Sequence, residues 1–289
     1  MDSVIVRFRE HLLSASNTER EVITYVLNHP QEAVKINIHE LAGRTFVSSS
    51  TITRLCKKTG FVNYKEYQRK LACELALKKE QNRTNDFEIH QEDSLETLLQ
   101  KSFDRSISAL EDTRTLLDIR ALKDSVELLT KTESITFFGS GASLLVGKDA
   151  YLKFSRIKKP CQVCEDQDIQ TVLARNMTKN QLAVLISYSG RTRHIVQIAE
   201  HLRENSVPSI SITGFAESPL TRLVDHNLYV SAAESHFTSG KLASRISQLA
   251  VIDTLYLAYI QRTYEISADV LHDTYLSKAG GTDENGKNF

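Results

Sequence analysis

The chain has 289 residues, of which 41% are hydrophobic and 25% are charged, a composition typical of soluble globular proteins. This length allows two domains, and the absence of any apolar run of 18 residues predicts that no helix crosses a membrane. Arg7, Arg9 and Glu10 interrupt the apolar stretch that a signal peptide would need, so we expect a cytoplasmic protein.

Positive charge is concentrated in the N-terminal part of the chain, although Lys and Arg balance Asp and Glu overall at 36 each. Residues 1–79 contain 13 basic and 8 acidic side chains, and residues 44–79 contain 9 basic and 2 acidic ones. This local positive field is suited to a polyanionic partner.

Helix signals follow one another closely from residue 17. Thr18 and Glu21 have the spacing of a capping box and precede an apolar stripe that Pro30 is expected to end. Asn37 and Glu40 have the same spacing and predict a second, short helix. The region is therefore predicted to be all-α.

A third predicted helix starts at the N-cap Ser48 and ends at Gly60, which permits a left-handed residue. Small hydroxyl side chains in its first turn and cations further along are typical of the second helix of a helix-turn-helix, which enters the major groove of double-stranded DNA. The alternative is a plain three-helix bundle whose serines only cap a helix. The candidate DNA-contacting residues are Ser48, Ser49, Ser50, Thr51, Thr53, Arg54, Lys57, Lys58, Tyr64 and Lys65.

A polar stretch without apolar periodicity separates two parts of the chain. New helices are expected near Ser94 and over residues 119–129. The predicted divisions are a helix-turn-helix domain at 1–79, a linker at 80–93, a ligand-binding domain at 94–275 and a disordered tail at 276–289.

Short apolar runs alternate with helical patterns in the C-terminal part, from SITFFG at 134–139 to NLYVS at 227–231. This alternation predicts a parallel sheet covered on both faces, an α/β fold. Ligands of such folds bind beyond the C-terminal ends of the strands.

Two of the predicted strand-to-helix turns have unusual chemistry. In FFGSGAS, Gly139 and Gly141 allow close approach of the backbone to a ligand, while Leu144 stands where a dinucleotide fingerprint needs glycine. LISYSGRT, residues 185–192, places Ser187, Ser189 and Thr192 before a helix N-terminus, which favours an anion. Without the Lys or Asp of a nucleotide triphosphatase, a sugar phosphate fits better than ATP, although ordinary helix caps explain either turn taken alone.

Cys161 and Cys164 form a CxxC pair, but no second ligand pair follows at the spacing of a zinc site. We therefore expect reduced structural cysteines, no metal and no cofactor.

GSGAS and SYSGRT resemble the GxGxS and SxSGxT turns of sugar isomerase (SIS) domains, and VSSSTITRLCKKTGF followed by YKEY resembles the N-terminus of RpiR-family bacterial transcription regulators. The resemblance implies a regulator, with repressor as the default, whose SIS domain senses a phosphorylated sugar and alters operator binding. Paired DNA half-sites imply a homodimer or a dimer of dimers. By the same resemblance the ligand residues are Ser143, Ser187, Ser189, Thr192, Gly141, Gly190 and Glu234. The sugar itself stays open among hexosamine, pentose and acidic hexose phosphates.

The alternative function is a phosphosugar isomerase or lyase with Glu234 as its base. The other nearby acid or base candidates are His194, His236 and Lys241, and none of them lies in a catalytic pattern. Because an enzyme would also leave the basic segment 44–79 unexplained, we expect a protein without catalytic residues. Ser244, Arg245 and Gln248 match the SRxxQ pattern usual in the regulators, and Arg245 is expected to hold structure.

Overall fold

The computed structural model describes residues 3–12, 14–78, 89–232 and 242–278. Its N-terminal domain is helical, with α1 Val4–Leu12, α2 Asn17–Asn28, α3 Pro30–Ala33, α4 Ile38–Arg44, α5 Ser49–Lys58 and α6 Tyr64–Lys78. The C-terminal domain begins with two helices and continues as alternating strands and helices. Its elements are α7 Leu95–Leu116, α8 Ile119–Lys131, β1 Ile135–Gly139, α9 Ala142–Arg156, β2 Cys161–Val163, α10 Gln167–Asn176, β3 Leu182–Ile186, α11 Arg193–Glu204, β4 Ser209–Gly214, β5 His226–Val230, α12 Leu242–Arg262 and α13 Tyr264–Lys278.

The five strands form one parallel sheet in the order β2-β1-β3-β4-β5. The predicted α/β class is therefore confirmed. Since the chain reverses its direction of growth between β1 and β3, the crevice at the carboxyl ends of these two strands is the place where such folds bind ligands.

Both faces of the sheet are buried, as the apolar runs predict. Ile135, Phe137 and Val184 share one core with α8, α9 and α12, while Phe138 and Leu185 on the other face pack with α10 and α11. Successive side chains along a strand thus pack into two different hydrophobic cores, one on each face of the sheet.

Three helix ends in the N-terminal domain test the predicted caps. The capping box of Asn37 and Glu40 and the N-cap Ser48 are confirmed. At the C-terminal end of α5, Phe61 N–H donates to the Cys56 carbonyl at 2.8 Å and Gly60 has φ +84°, the expected left-handed end.

The predicted start of the first helix was wrong. The capping box of α2 is formed by Ser16 and Glu19, so Thr18 and Glu21 lie inside the helix. Both pairs have the same spacing, but only Glu19 is buried. It also forms an ion pair with Lys58 of α5 at 2.7 Å. Pro30 is the first residue of α3.

Helix α1 was not predicted from the sequence. Its residues Val4 and Phe8 belong to the core of the N-terminal domain, and Phe8 stacks on Tyr67 at 5.3 Å between ring centroids. From α6, the Glu74 carboxylate accepts hydrogen bonds from the N–H groups of Val4 and Ile5 at 2.7 and 3.2 Å. The N-terminus of α1 is thus attached to α6 of the same domain.

Parts of the predicted linker and tail lie outside the described residues. Helix α7 starts after the N-cap Ser94, as predicted. Helix α13 extends to Lys278, beyond the predicted start of the tail, and the rest of the tail and residues 79–88 of the linker region are outside the described residues. Within the described ranges, no helix is both long enough and apolar enough to cross a membrane.

Candidate functional site

The two hydroxyl-rich turns lie side by side at the switch point of the sheet. Gly139, the last residue of β1, is in register with Ile186, the last residue of β3. The Ser140–Ser143 turn and the Ser187–Thr192 turn therefore leave the sheet from adjacent strands, on the same edge.

In the second turn, the hydroxyl groups of three residues lie just before the start of α11. Ser187 is buried and its Oγ lies 3.3 Å from Thr192 Oγ1, whereas Ser189 is exposed and accepts a hydrogen bond from Arg191 N–H at 3.3 Å. Gly190 has φ +59° and is enclosed by Ser218, which leaves no room for a side chain there. The turn is thus held in one compact shape.

In the first turn, Gly141 has φ +56° and open space around it, and Ser143 is buried at the start of α9. Ser143 Oγ donates to Gln248 Oε1 at 3.3 Å, so α12 reaches this turn from the side.

The helices that follow these turns begin without side-chain caps. Gly141 is the N-cap of α9 and Thr192 that of α11, and neither provides a side-chain oxygen to the backbone. By contrast α2, α4, α5, α7, α8 and α10 all have such a cap. In α9 the N–H groups of Ser143 and Leu144 donate to the carbonyls of Ser140 and Gly141 at 3.2 and 3.1 Å. The start of α11, together with its helix dipole, is therefore the better place for an anion from outside the chain.

Two buried amides flank the first turn. Gln170 Nε2 donates to the carbonyls of Gly139 at 3.2 Å and Cys164 at 2.9 Å, while its Oε1 has no hydrogen-bond partner. Gln248 Nε2 likewise has none, and both side chains are 1% exposed. A ligand with hydroxyl groups could satisfy one acceptor and one donor here. Sequence patterns did not point to Gln170, and Gln248 was noticed only as the last residue of the SRxxQ pattern.

A carboxylate from α1 also reaches this edge of the sheet. Glu10 is 3% exposed and accepts hydrogen bonds from the Tyr188 hydroxyl at 2.6 Å, the Ser231 hydroxyl at 2.8 Å and Ala232 N–H at 3.4 Å. Burial raises the pKa of Glu10 above its ordinary value, against the effect of these three hydrogen bonds and with a smaller contribution from Asp112.

The remaining predicted ligand residue, Glu234, lies outside the described residues, as do His236 and Lys241. His194 is the second residue of α11, and burial lowers its pKa, against the attraction of Asp168. Arg245 is exposed on α12.

The predicted DNA face lies on α5. Ser50, Arg54 and Lys57 are exposed at helical spacing along one side of this helix. Ser49 is half-buried, and its Oγ lies 3.3 Å from His39 Nδ1 at the start of α4, which joins the two helices of the motif. Ser48 and Lys65 are exposed, and Thr53 is half-buried.

Three other predicted DNA residues have partners within the domain. Tyr64 is 8% exposed and its hydroxyl donates to the Ile36 carbonyl at 3.0 Å, and Thr51 is buried beside Ser48. Lys58 donates to Glu19 at 2.7 Å. Although burial opposes ionisation, the hydrogen bonds from Lys58 and Ser16 lower the pKa of Glu19 to about 2.

Cys56 is buried in the N-terminal core, and Cys161 and Cys164 are half-buried; none of these three is in a disulfide. The described residues contain no group of three or more His, Cys, Asp or Glu side chains suited to a metal ion.

Two family models match the two domains in the order in which they occur. The helix-turn-helix domain of the rpiR family matches residues 3–78, and the SIS domain matches residues 128–258. Among curated proteins, an HTH-type transcriptional regulator of Caldanaerobacter subterraneus is 35% identical over 95% of this chain and 96% of its own. The HTH-type transcriptional regulator HexR of Escherichia coli is 30% identical over 90% and 89%.

The comparison extends to solved structures. The NanR protein of Vibrio vulnificus, complexed with ManNAc-6P, is 26% identical, with a TM-score of 0.60 over 96% of this chain and 98% of that one. The chain therefore belongs to the RpiR family of HTH-type transcriptional regulators, with an N-terminal helix-turn-helix domain and a C-terminal SIS domain.

Proposed function

We propose that this transcriptional regulator senses a phosphorylated sugar at the Ser140–Ser143 and Ser187–Thr192 turns and that binding of the sugar changes its affinity for operator DNA. The observation that carries the proposal is the pair of uncapped helix starts, α9 and α11, beside hydroxyl-rich turns on adjacent strands. A phosphate dianion would accept from the N–H groups of α11 and from the hydroxyls of Ser187, Ser189 and Thr192.

The sugar part would lie toward the first turn. Ser143 and the free amide atoms of Gln248 and Gln170 can exchange hydrogen bonds with its hydroxyl groups. Glu234 is proposed as a further hydroxyl ligand from the neighbouring segment. The ManNAc-6P in the similar NanR structure makes amino-sugar phosphates a reasonable class to test first.

The ligand experiment uses the double variant Ser189→Ala/Thr192→Ala and a panel of hexose, hexosamine and pentose phosphates. Calorimetric titration should show binding of at least one sugar phosphate to the unaltered protein and at least about ten-fold weaker binding to the variant, because two charge-assisted hydrogen bonds are lost. Ser102→Ala/Thr178→Ala removes two exposed hydroxyls elsewhere and serves as the control. Equal affinity in the two double variants would refute the site.

For DNA we propose contacts from the exposed residues of α5 and its flanks, above all Arg54 and Lys57. Replacing both with Ala should weaken binding to a selected operator fragment and reduce the salt dependence of the binding constant by about one unit of slope per lost phosphate contact. Arg20→Ala, an exposed cation on α2, is the matched control. Unchanged sugar-phosphate affinity in the Arg54/Lys57 variant would support the division of roles, whereas a loss confined to sugar binding would contradict it.

We propose a binding role without catalysis for the SIS domain. Of the candidate acids and bases only His194 is described, and burial lowers its pKa against the attraction of Asp168. Incubation with the panel should give no aldose–ketose conversion; turnover of about 1 s⁻¹ would favour the isomerase alternative.

A homo-oligomer, dimer or dimer of dimers, is also proposed. Helix α7 exposes Leu95, Leu99 and Phe103 at intervals of four residues, an apolar stripe suited to a second copy of the chain. Light scattering of Phe103→Glu beside the off-stripe control Ser102→Glu tests it: a smaller mass for Phe103→Glu alone is the expected result.

A further inference from the structure

Helix α1 belongs to the N-terminal domain, yet one of its carboxylates is enclosed by the C-terminal domain. The hydroxyl partners of Glu10, Tyr188 and Ser231, lie 178 and 221 residues further along the chain. A buried, hydrogen-bonded carboxylate that loses one of its donors is left unsatisfied at a free-energy cost, so this contact favours one arrangement of the two domains.

The partners of Glu10 lie in the two segments that carry the proposed sugar-phosphate contacts. Tyr188 stands between Ser187 and Ser189, and its carbonyl accepts from Gly214 N–H at 2.8 Å. Ser231 and Ala232 come directly before the segment that contains Glu234. A ligand that draws the Ser187–Thr192 turn toward itself must therefore alter the surroundings of the Glu10 carboxylate.

Helix α1 also contacts the C-terminal end of α5, the helix proposed to bind DNA. Arg7 lies three residues before Glu10, so both point to the same side of α1. Its Nη1 donates to the carbonyls of Thr59 and Gly60 at 3.1 and 3.2 Å, at the C-terminal end of α5. The guanidinium also lies 5.4 Å from the ring centroid of Phe215, which follows β4 in the C-terminal domain.

Helix α1 is attached to α6 of the N-terminal domain by several contacts, so we expect the two helices to move together. Glu74 holds its N-terminal N–H groups, and Phe8 stacks on Tyr67 of α6. On the other side, Arg9 forms an ion pair with Asp112 of α7 at 3.2 Å. A displacement of Glu10 would thus carry the whole helix-turn-helix domain with it.

We infer that Glu10 is the residue through which the sugar-phosphate site controls the orientation of the DNA-binding domain. The inference rests on the proposed function. A dianion bound at the Ser187–Thr192 turn attracts the turn's hydroxyl and N–H groups, and so draws Tyr188 away from Glu10 and weakens the hydrogen bond between them. Helix α1 then transmits the change to α5, and by linkage DNA binding changes sugar affinity by the same factor.

The test compares full-length Tyr188→Phe and Glu10→Gln with the unaltered protein. The sugar probe is the sugar phosphate that raises the melting temperature most in the panel, and the DNA probe is a fragment selected by the unaltered protein from a random library. The dissociation constant for DNA is measured with and without saturating sugar phosphate, and sugar affinity is measured by calorimetry.

In the unaltered protein the sugar phosphate should change DNA affinity by at least about five-fold. In both variants this ratio should fall below about two-fold, and Glu10→Gln, which lies outside the proposed sugar-phosphate site, should still bind both the sugar phosphate and the DNA. The control variants Tyr151→Phe and Glu21→Gln alter exposed or partly exposed side chains away from this contact and should keep the full ratio.

Hydrogen exchange provides a second, structural readout. The sugar phosphate should protect backbone amides of residues 187–196 in the unaltered protein and in Glu10→Gln, but should change exchange in residues 4–12 only in the unaltered protein. A full ratio in both variants, or an α1 that does not respond in the unaltered protein, would overturn the coupling and leave the proposed function standing. Failure of the unaltered protein to bind any sugar phosphate would defeat the proposed function, and the coupling with it.

Discussion

Gly190 in the Ser187–Thr192 turn is expected to tolerate no side chain. An added Cβ would overlap Ser218 Oγ and lie 2.7 Å from Ser218 Cβ, and the backbone has φ +59°. Two separate costs therefore arise in Gly190→Ala: a left-handed backbone for an L-residue and a steric conflict with Ser218.

The magnitude follows from these two costs. A left-handed Ala costs about 1–2 kcal/mol, of which about 0.4–1 kcal/mol is offset by the lower entropy of the unfolded chain. The conflict with Ser218 adds about 1–3 kcal/mol, because Ser218 must give up its position and the hydrogen bond from Thr221 N–H at 3.3 Å. We expect a loss of about 2–4 kcal/mol in the free energy of unfolding.

The assay is urea unfolding of the C-terminal domain in the full chain, followed by circular dichroism. Ser218→Gly is the control, since it frees the space beside position 190, so the double variant Gly190→Ala/Ser218→Gly should show the backbone cost without the conflict. Ser218→Gly should therefore rescue part of the loss in Gly190→Ala. If the effects of Ser218→Gly and Gly190→Ala add without coupling, the steric reasoning is refuted.

Two further predictions concern the N-terminal domain. Phe46, in the turn between α4 and α5, has φ +52° and is 96% exposed, so Phe46→Asn should raise the stability of this domain by about 1 kcal/mol, measured as a higher melting temperature; no change would show that the turn is unstrained. Because the pKa of Glu19 is lowered to about 2, its ionised form, paired with Lys58, stabilises the folded state above the ordinary carboxyl pKa. This stabilisation is lost as the pH falls toward 2. The free energy of unfolding should therefore drop between about pH 5 and 2, by at most about 3 kcal/mol more than in Glu19→Gln, and equal pH profiles would contradict the pairing.

Local chemistry explains which parts of the fold were readable in the sequence. The capping box at Asn37, the glycine end of α5 at Gly60 and the buried strand Leu182–Ile186 each depend on residues within a few positions of one another. The two hydroxyl turns could likewise be assigned to strand ends, and the parallel sheet then brought them together.

The errors arose where a distant residue decides between equal local patterns. Ser16–Glu19 and Thr18–Glu21 both have capping-box spacing, and the choice depends on Lys58, 39 residues further along. The start of the short α1 depends on a distant residue as well as on its own Ser3: the Ser3 hydroxyl accepts from Val6 N–H at 3.2 Å, and Glu74 on α6 binds the N–H groups of Val4 and Ile5. Neither partner can be found by inspecting the segment itself.

The contact of Glu10 with Tyr188 and Ser231 is likewise decided by residues that are distant in the chain, and a comparison with Glu19 shows why. Both are buried glutamates in the N-terminal domain, yet burial raises the pKa of Glu10 against its hydrogen bonds from two neutral hydroxyls and a backbone N–H. For Glu19 burial has the same direction, but the hydrogen bonds from Lys58 and Ser16 outweigh it and lower the pKa. A carboxylate held by a cation strengthens a domain, whereas one held by neutral donors across a domain boundary is more easily released by a nearby dianion. A contact of the second kind is suited to switching, and its chemistry depends on residues that lie nearly two hundred positions away in the chain.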